Sequence, residues 1–159
     1  MIHTVFDNYI LNNIYYIRKE LSEKDIGKLQ EKALTILLDY NASIVDNIIT
    51  TSHGLKQTEN GYLLDYEMLI PVDCEIPDKN GFLFEQHRNL GCVVKLRYEG
   101  YLHNTEAFIS EAVSFLAEKN ISTMPPVYSS VTIHTPSKSH DISATVDFLI
   151  PIQYNCMRL

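Results

Sequence analysis

At 159 residues, with 45% hydrophobic and 21% charged residues, the sequence has the balance of one globular domain, or of two small halves sharing a core. A formal net charge of -7 argues against a phosphate backbone as the main partner, so direct nucleic-acid binding is not expected. No apolar run approaches the roughly 20 residues that cross a bilayer, and the opening MIHTVFDNYIL lacks the basic start, apolar stretch and cleavage site of a signal peptide.

In chain order, IYYIRKEL (Ile14 to Leu21) has the aromatic and β-branched makeup of a strand. A helix is expected from about Ser22 to Tyr40, because Ile26, Leu29, Ala33, Ile36, Leu37 and Tyr40 fall three and four apart and form one stripe. Ser22 is its N-cap candidate and Asn41 its end. Two strands follow, Val45 to His53 and Gly61 to Val72, with GLKQTEN as the hairpin loop and Pro71 closing the second strand. The connector Asp73 to Asn89 carries a Pro-Asp-Lys-Asn-Gly turn, and its FLF segment could add a small edge piece.

The order then repeats. VVKLRYEG (Val93 to Gly100) is a strand, and Asn104 to Lys119 a helix with Phe108, Ala112, Phe115 and Leu116 inward and Asn104 as N-cap. Val127 to His134 and Ile142 to Ile152 are a strand pair around the loop TPSKSHD, and Pro151 closes the last strand as Pro71 closes its counterpart. MLIPVD and FLIPIQ match at a spacing of about 80 residues, as do Arg18 and Arg97, Glu67 and Asp147, and His53 and His134. Each half reads strand, helix, strand, strand, too little alone to bury a core. The expected fold is therefore α+β: two pseudo-symmetric βαββ repeats forming one antiparallel sheet with two helices on one face. It is read as a single domain, with repeat one at about 8–73, a linker at 74–89 and repeat two at about 90–153.

The three cysteines, Cys74, Cys92 and Cys156, show no metal or redox spacing and read as reduced thiols, which places the protein in the cytoplasm. No HExxH or comparable spacing is present, so neither a metal nor a cofactor is implied.

The repeat, with VVKLRYEGYLHNTEAFISEAVSFLAEKN and VDFLIPI as its most specific pieces, resembles the GyrI-like family of small-molecule-binding domains over about Asn8 to Gln153. The chain is also similar to an uncharacterised doubled family of Gram-positive bacteria. Family members often form the effector-binding half of transcription regulators. Here no helix-turn-helix fits before Ile14, so the resemblance implies a stand-alone domain. It also implies a ligand cleft between the two copies, on the sheet face away from the helices, where a buried carboxylate attracts a cation and aromatic walls stack on it.

Strand alternation puts Leu63, Asp65, Glu67 and Leu69 on that face, with Thr145, Asp147 and Leu149 as their counterparts. Tyr16, Arg18, Lys95 and Arg97 point the same way. The candidate ligand-binding set is Glu67, Asp147, Tyr16, Arg18, Arg97, Tyr128 and His134, with Glu67 and Asp147 as the carboxylates and Tyr16 and Tyr128 as walls. Arg18 and Arg97 could neutralise both acids, which would favour polar or anionic groups as readily as cations. The plain alternative is a wet sheet face carrying cross-strand ion pairs. Each histidine alone reads as incidental.

No nucleophile and base share a diagnostic motif, and there is no tryptophan, so the residues leave catalysis open without favouring it. Two functions follow. One is binding of a small organic molecule between the repeats. The other is a protein-interaction module that docks a partner on the same sheet face.

Overall fold

A computed structural model of the chain describes residues 3–135 and 141–153. These form an α+β fold of nine strands and two α-helices, in two compact units. One unit is Ile10–Arg88; the other comprises the described parts of Met1–Tyr9 and Asn89–Leu159.

The Ile10–Arg88 unit contains β2 (Ile10–Leu21), α1 (Ile26–Asp39), β3 (Ile49–Thr58), β4 (Gly61–Pro71) and most of β5 (Leu83–Asn89). Its strands lie in the order β3, β4, β2, β5. β4 pairs antiparallel with β2, Arg18 opposite Glu67, and with β3, Thr51 opposite Glu67. Leu29, Ala33, Ile36 and Leu37 of α1 bury against Tyr15 and Ile17 of β2 and Tyr66, Met68 and Ile70 of β4. The expected alternation holds: Asp65, Glu67 and Leu69 face away from α1. Leu69 and Glu67 are nonetheless buried.

The second unit contains β1 (His3–Phe6), β6 (Val93–Tyr101), α2 (Thr105–Glu118), β7 (Ser122–Thr123), β8 (Tyr128–Thr135) and β9 (Ser143–Gln153). β9 pairs antiparallel with β6, Arg97 opposite Asp147, and with β8, Ser130 opposite Asp147. β1 extends the edge beside β6. Ala112 and Leu116 of α2 meet Val94 and Leu96 of β6 and Ala144, Val146, Phe148 and Ile150 of β9.

Both helices end by the same device. Asn41 and Asn120 adopt left-handed φ angles of 52° and 60°. The next amide folds back on the helix, Ala42 N–H to Leu37 O and Ile121 N–H to Leu116 O, each at 2.9 Å. This Schellman closure satisfies carbonyls that would otherwise lack a partner, and asparagine tolerates the left-handed position. The helix starts differ from expectation. A 3-10 turn, Glu23–Asp25 or Leu102–Asn104, precedes each helix, and neither Ser22 nor Asn104 makes a capping bond. Ser22 Oγ instead donates to Asp25 Oδ2 at 3.0 Å.

Three further expectations are corrected. GLKQTEN is mostly strand, because β3 runs on to Thr58 after a register shift between Ser52 and Leu55. Pro151 does not close β9: it pairs with Val93, its carbonyl accepts Met124 N–H at 2.7 Å, and the strand runs on to Gln153. Cys74 is free and exposed, but Cys92 is disulfide-bonded, against the expectation of reduced thiols. Among the described residues no helix is long and apolar enough to cross a membrane. The expected loop TPSKSHD lies largely outside the described residues.

Candidate functional site

Glu67 is the most buried acid of the candidate set, 5% exposed on the face of β4 opposite α1. A carboxylate removed from water needs partners, and among the described residues it has two. His53 Nε2 lies 2.9 Å from Oε1, and Arg88 Nη1 donates to Oε2 at 2.7 Å. His53 reaches the carboxylate from the irregular stretch of β3 where the ladder register shifts. Arg88 comes from β5, whose neighbour in the sheet is β2.

The Arg88 guanidinium is held on three sides. Nε donates to Glu85 Oε2 at 2.7 Å, and Cζ lies 4.2 Å from the centroid of the Tyr16 ring. Burial works against its charge, but the hydrogen bonds to Glu67 and Glu85 outweigh burial and hold Arg88 above its ordinary pKa. A guanidinium over a tyrosine face gains about 0.5–2 kcal/mol, more where water is excluded. Glu67, Arg88 and Tyr16 thus form a carboxylate, cation and aromatic stack within one unit.

Arg18, expected to neutralise Glu67, bonds the neighbouring acid. Its Nε and Nη2 donate to Asp65 Oδ1 and Oδ2 at 2.9 and 2.8 Å. The Arg18 hydrogen bond holds the Asp65 carboxyl below the usual carboxylate range. In the other unit Arg97 does what was expected: its Nε and Nη2 donate to Asp147 at 2.8 and 3.1 Å, and these bonds raise its own pKa. The difference follows from the sequence, since Thr145 stands where the first half has Asp65 and offers no second carboxylate. The Arg97 side chain is 58% exposed and Asp147 16%, so this pair is wetter than the Glu67 cluster.

Tyr128 is buried opposite Leu149, on the same face of the strand pair as Asp147. His134 lies at the register shift between Ile133 and Thr135, and its Nε2 contacts Thr145 Oγ1 at 2.5 Å. Within the Ile10–Arg88 unit the structure therefore brings together Tyr16 and Glu67, with Arg18 on the adjacent acid. Within the other it brings together Arg97, Asp147 and the Tyr128 position, with His134 one residue pair further along. Sequence reasoning missed Arg88 and Glu85 and took His53 as incidental. The available signal was that His53, like Glu67, has a counterpart in the second half. Among the described residues no cluster of three or more His, Cys, Asp or Glu could hold a metal ion.

No family model matches the sequence, and no curated protein matches it. The fold does match solved structures. The C-terminal domain of EcmrR aligns with a TM-score of 0.66 at 10% identity, over 96% of this chain and 99% of that one. EcmrR in a complex with DNA gives 0.68 at 11% identity over 94% of this chain, which spans 57% of that chain's length. An uncharacterised conserved protein from Listeria innocua gives 0.64 at 10% identity, over 95% of this chain and 92% of that one. The chain thus shares its α+β fold with the EcmrR C-terminal domain and with just over half of the EcmrR chain in its DNA complex. At these identities the likeness is one of fold.

Proposed function

We propose that the protein is a small-molecule-binding domain of the GyrI-like kind, and that the Glu67 carboxylate is its recognition group. The single observation that carries this reading is a carboxylate withdrawn from water that shares the Arg88 guanidinium with an aromatic face, Tyr16, on the sheet surface away from α1. A desolvated carboxylate and one aromatic face that already share a cation favour an organic cation over a neutral or anionic ligand. Asp147, with Tyr128 on its strand-pair face, is the matching acid of the second unit. The fold that this reading requires is the one shared with the EcmrR C-terminal domain.

The test is a thermal-shift screen of organic cations against the wild type and the Glu67→Gln, Asp147→Asn double variant. A cation that raises the melting temperature of the wild type, and not of the variant, supports the reading. No shift across a broad library, or an equal shift in both proteins, overturns it.

A second reading, a docking face for a protein partner, is favoured by one observation: both acids already carry a cation of their own chain, Arg88 on Glu67 and Arg97 on Asp147. It predicts that no small cation shifts the melting temperature and that substitutions of exposed residues on this face weaken capture of one defined partner.

A further inference from the structure

We infer that Arg88 is a tethered occupant of the Glu67 and Tyr16 site, and that an external ligand binds by displacing its guanidinium. The inference rests on the reading of Glu67 as the recognition group. The arrangement supplies each part. The guanidinium already makes the two contacts that a bound cation would make, 2.7 Å to Glu67 Oε2 and 4.2 Å to the Tyr16 ring centre. Its side chain is only 17% exposed. A ligand cannot reach the same carboxylate oxygen and ring face while Arg88 holds them.

Displacement does not strand the arginine. Its Nε is bonded to Glu85 Oε2 at 2.7 Å, and the Glu85 side chain is 36% exposed, against 7% for Glu67. Arg88 can therefore leave Glu67 and remain paired with Glu85, a wetter carboxylate on its own strand. The exchange replaces one buried ion pair by another of the same kind, so the desolvation of Glu67 is not undone. A lone cation removed from Glu67 without a second acid would lose all its charge partners.

The occupant also specifies its replacement. A guanidinium offers in-plane N–H donors to the carboxylate and a flat delocalised face to Tyr16. The ligand class that reproduces both contacts is a planar delocalised cation, an amidinium or guanidinium carried on an apolar body. A compact ammonium would match the charge but not the stacking. Such a ligand competes with a group permanently at hand, so its apparent affinity is reduced by the fraction of time that Arg88 occupies the site.

No counterpart of this arrangement exists at Asp147 among the described residues. Its partner Arg97 is the direct register neighbour across the β6–β9 ladder and makes no described contact with an aromatic ring. Arg88 lies on β5, outside the repeated strand, helix, strand, strand order.

The test titrates benzamidine, with benzamide as its uncharged isostere, into the wild type, Arg88→Ala and the Glu67→Gln, Arg88→Ala double variant by calorimetry. Removing the occupant is expected to tighten benzamidine binding by about tenfold or more, with the gain lost in the double variant and no binding of benzamide. Equal affinity in wild type and Arg88→Ala overturns the occupant role while leaving Glu67 as recognition group. Binding to neither protein overturns both readings, and a gain that survives Glu67→Gln overturns the role of Glu67. If Arg88→Ala does not hold its fold, methylguanidinium is titrated into it and the circular dichroism followed. Recovery of the folded signal supports occupancy of the vacated position by a free guanidinium, and no recovery overturns it.

Discussion

Arg18 stands opposite Glu67 in the β2–β4 ladder, yet its forked bond goes to Asp65, two residues along β4. That diagonal leaves Glu67 to His53 and Arg88. Two acids on one strand are thereby given separate cations, one pair wet and one pair dry. The two pairs should behave differently under mutation and pH.

The wet pair is expected to contribute little. Asp65→Asn should destabilise the protein by no more than about 1 kcal/mol in urea unfolding, as for other exposed pairs. Its pH dependence has a definite sign. The Asp65 carboxyl is held below its ordinary value by the Arg18 hydrogen bond, so its contribution is present above the unfolded carboxylate pKa and is lost as pH falls through the folded one. Between pH 5 and the acid limb the wild type should lose stability that Asp65→Asn has already lost. Parallel acid profiles for the two proteins would refute the assignment.

Glu67 and Arg88 form the dry pair. Arg88→Ala should cost about 3 kcal/mol, the low end for breaking a buried ion pair, because His53 still holds one oxygen of Glu67. Replacing both partners by uncharged groups of similar size, Glu67→Gln with Arg88→Met, should recover most of that loss. Urea unfolding of the single and double variants measures it. A double variant no more stable than Arg88→Ala would mean that the cost comes from lost packing on Tyr16 rather than from a stranded charge.

The helix ends give a prediction about backbone alone. Asn41 has φ 52°, a conformation that costs an ordinary L-residue about 1–2 kcal/mol. Asn41→Ala should therefore lose about 1 kcal/mol, while Asn41→Gly should be neutral or stabilising. Equal midpoints for the two variants would show that the turn can close in another way. Asn120 should give the same ranking, because Ile121 N–H closes on Leu116 O at the same 2.9 Å as Ala42 N–H on Leu37 O.

Gly100 is required by a neighbour. A Cβ there would lie 2.7 Å from the Tyr98 hydroxyl, which donates to Tyr101 O at 2.6 Å. Gly100→Ala should break that bond or force the ring aside, at a cost of about 1–3 kcal/mol. The same substitution made in a Tyr98→Phe background should cost less, since the closest atom is gone. If the two costs are equal, the strain resides in the backbone and not in the hydroxyl.

The parts of the fold that bury apolar surface were legible in the sequence. Ala33 and Ala112 sit in helical stripes whose inward positions became the cores, and the alternation around Met68 and Phe148 assigned both faces of β4 and β9. Edges were legible only in part: the FLF segment, Phe82 to Phe84, pointed to an edge piece and β5 opens there at Leu83, but the strand's extent was not foreseen. β5 contains the polar run Glu85 to Asn89 and has β2 as its neighbour in the sheet, so nothing forces the apolar alternation by which a strand is recognised. β1 is four residues long and escaped for the same reason. The site was half legible. Register alone placed Arg97 on Asp147, where Thr145 stands on β9 in place of a second acid. For Arg18 register named the wrong acid, because a long arginine side chain can reach a diagonal neighbour and Asp65 was there to receive it. His53 and Arg88 could not be assigned to Glu67 without knowing where β3 bulges and where β5 docks.

β1 and β5 hold matching places, beside β6 and β2, the first strand of each unit, yet β5 carries an arginine that reaches a buried acid while β1, HTVF, carries none. Two edge strands of unlike sequence need not treat the two halves alike: one can guard its acid and the other leave it to local resources. Functional asymmetry therefore needs no divergence in the duplicated strands themselves. It can be written, revised or erased in the joining peptide, where a change of one side chain leaves both cores untouched.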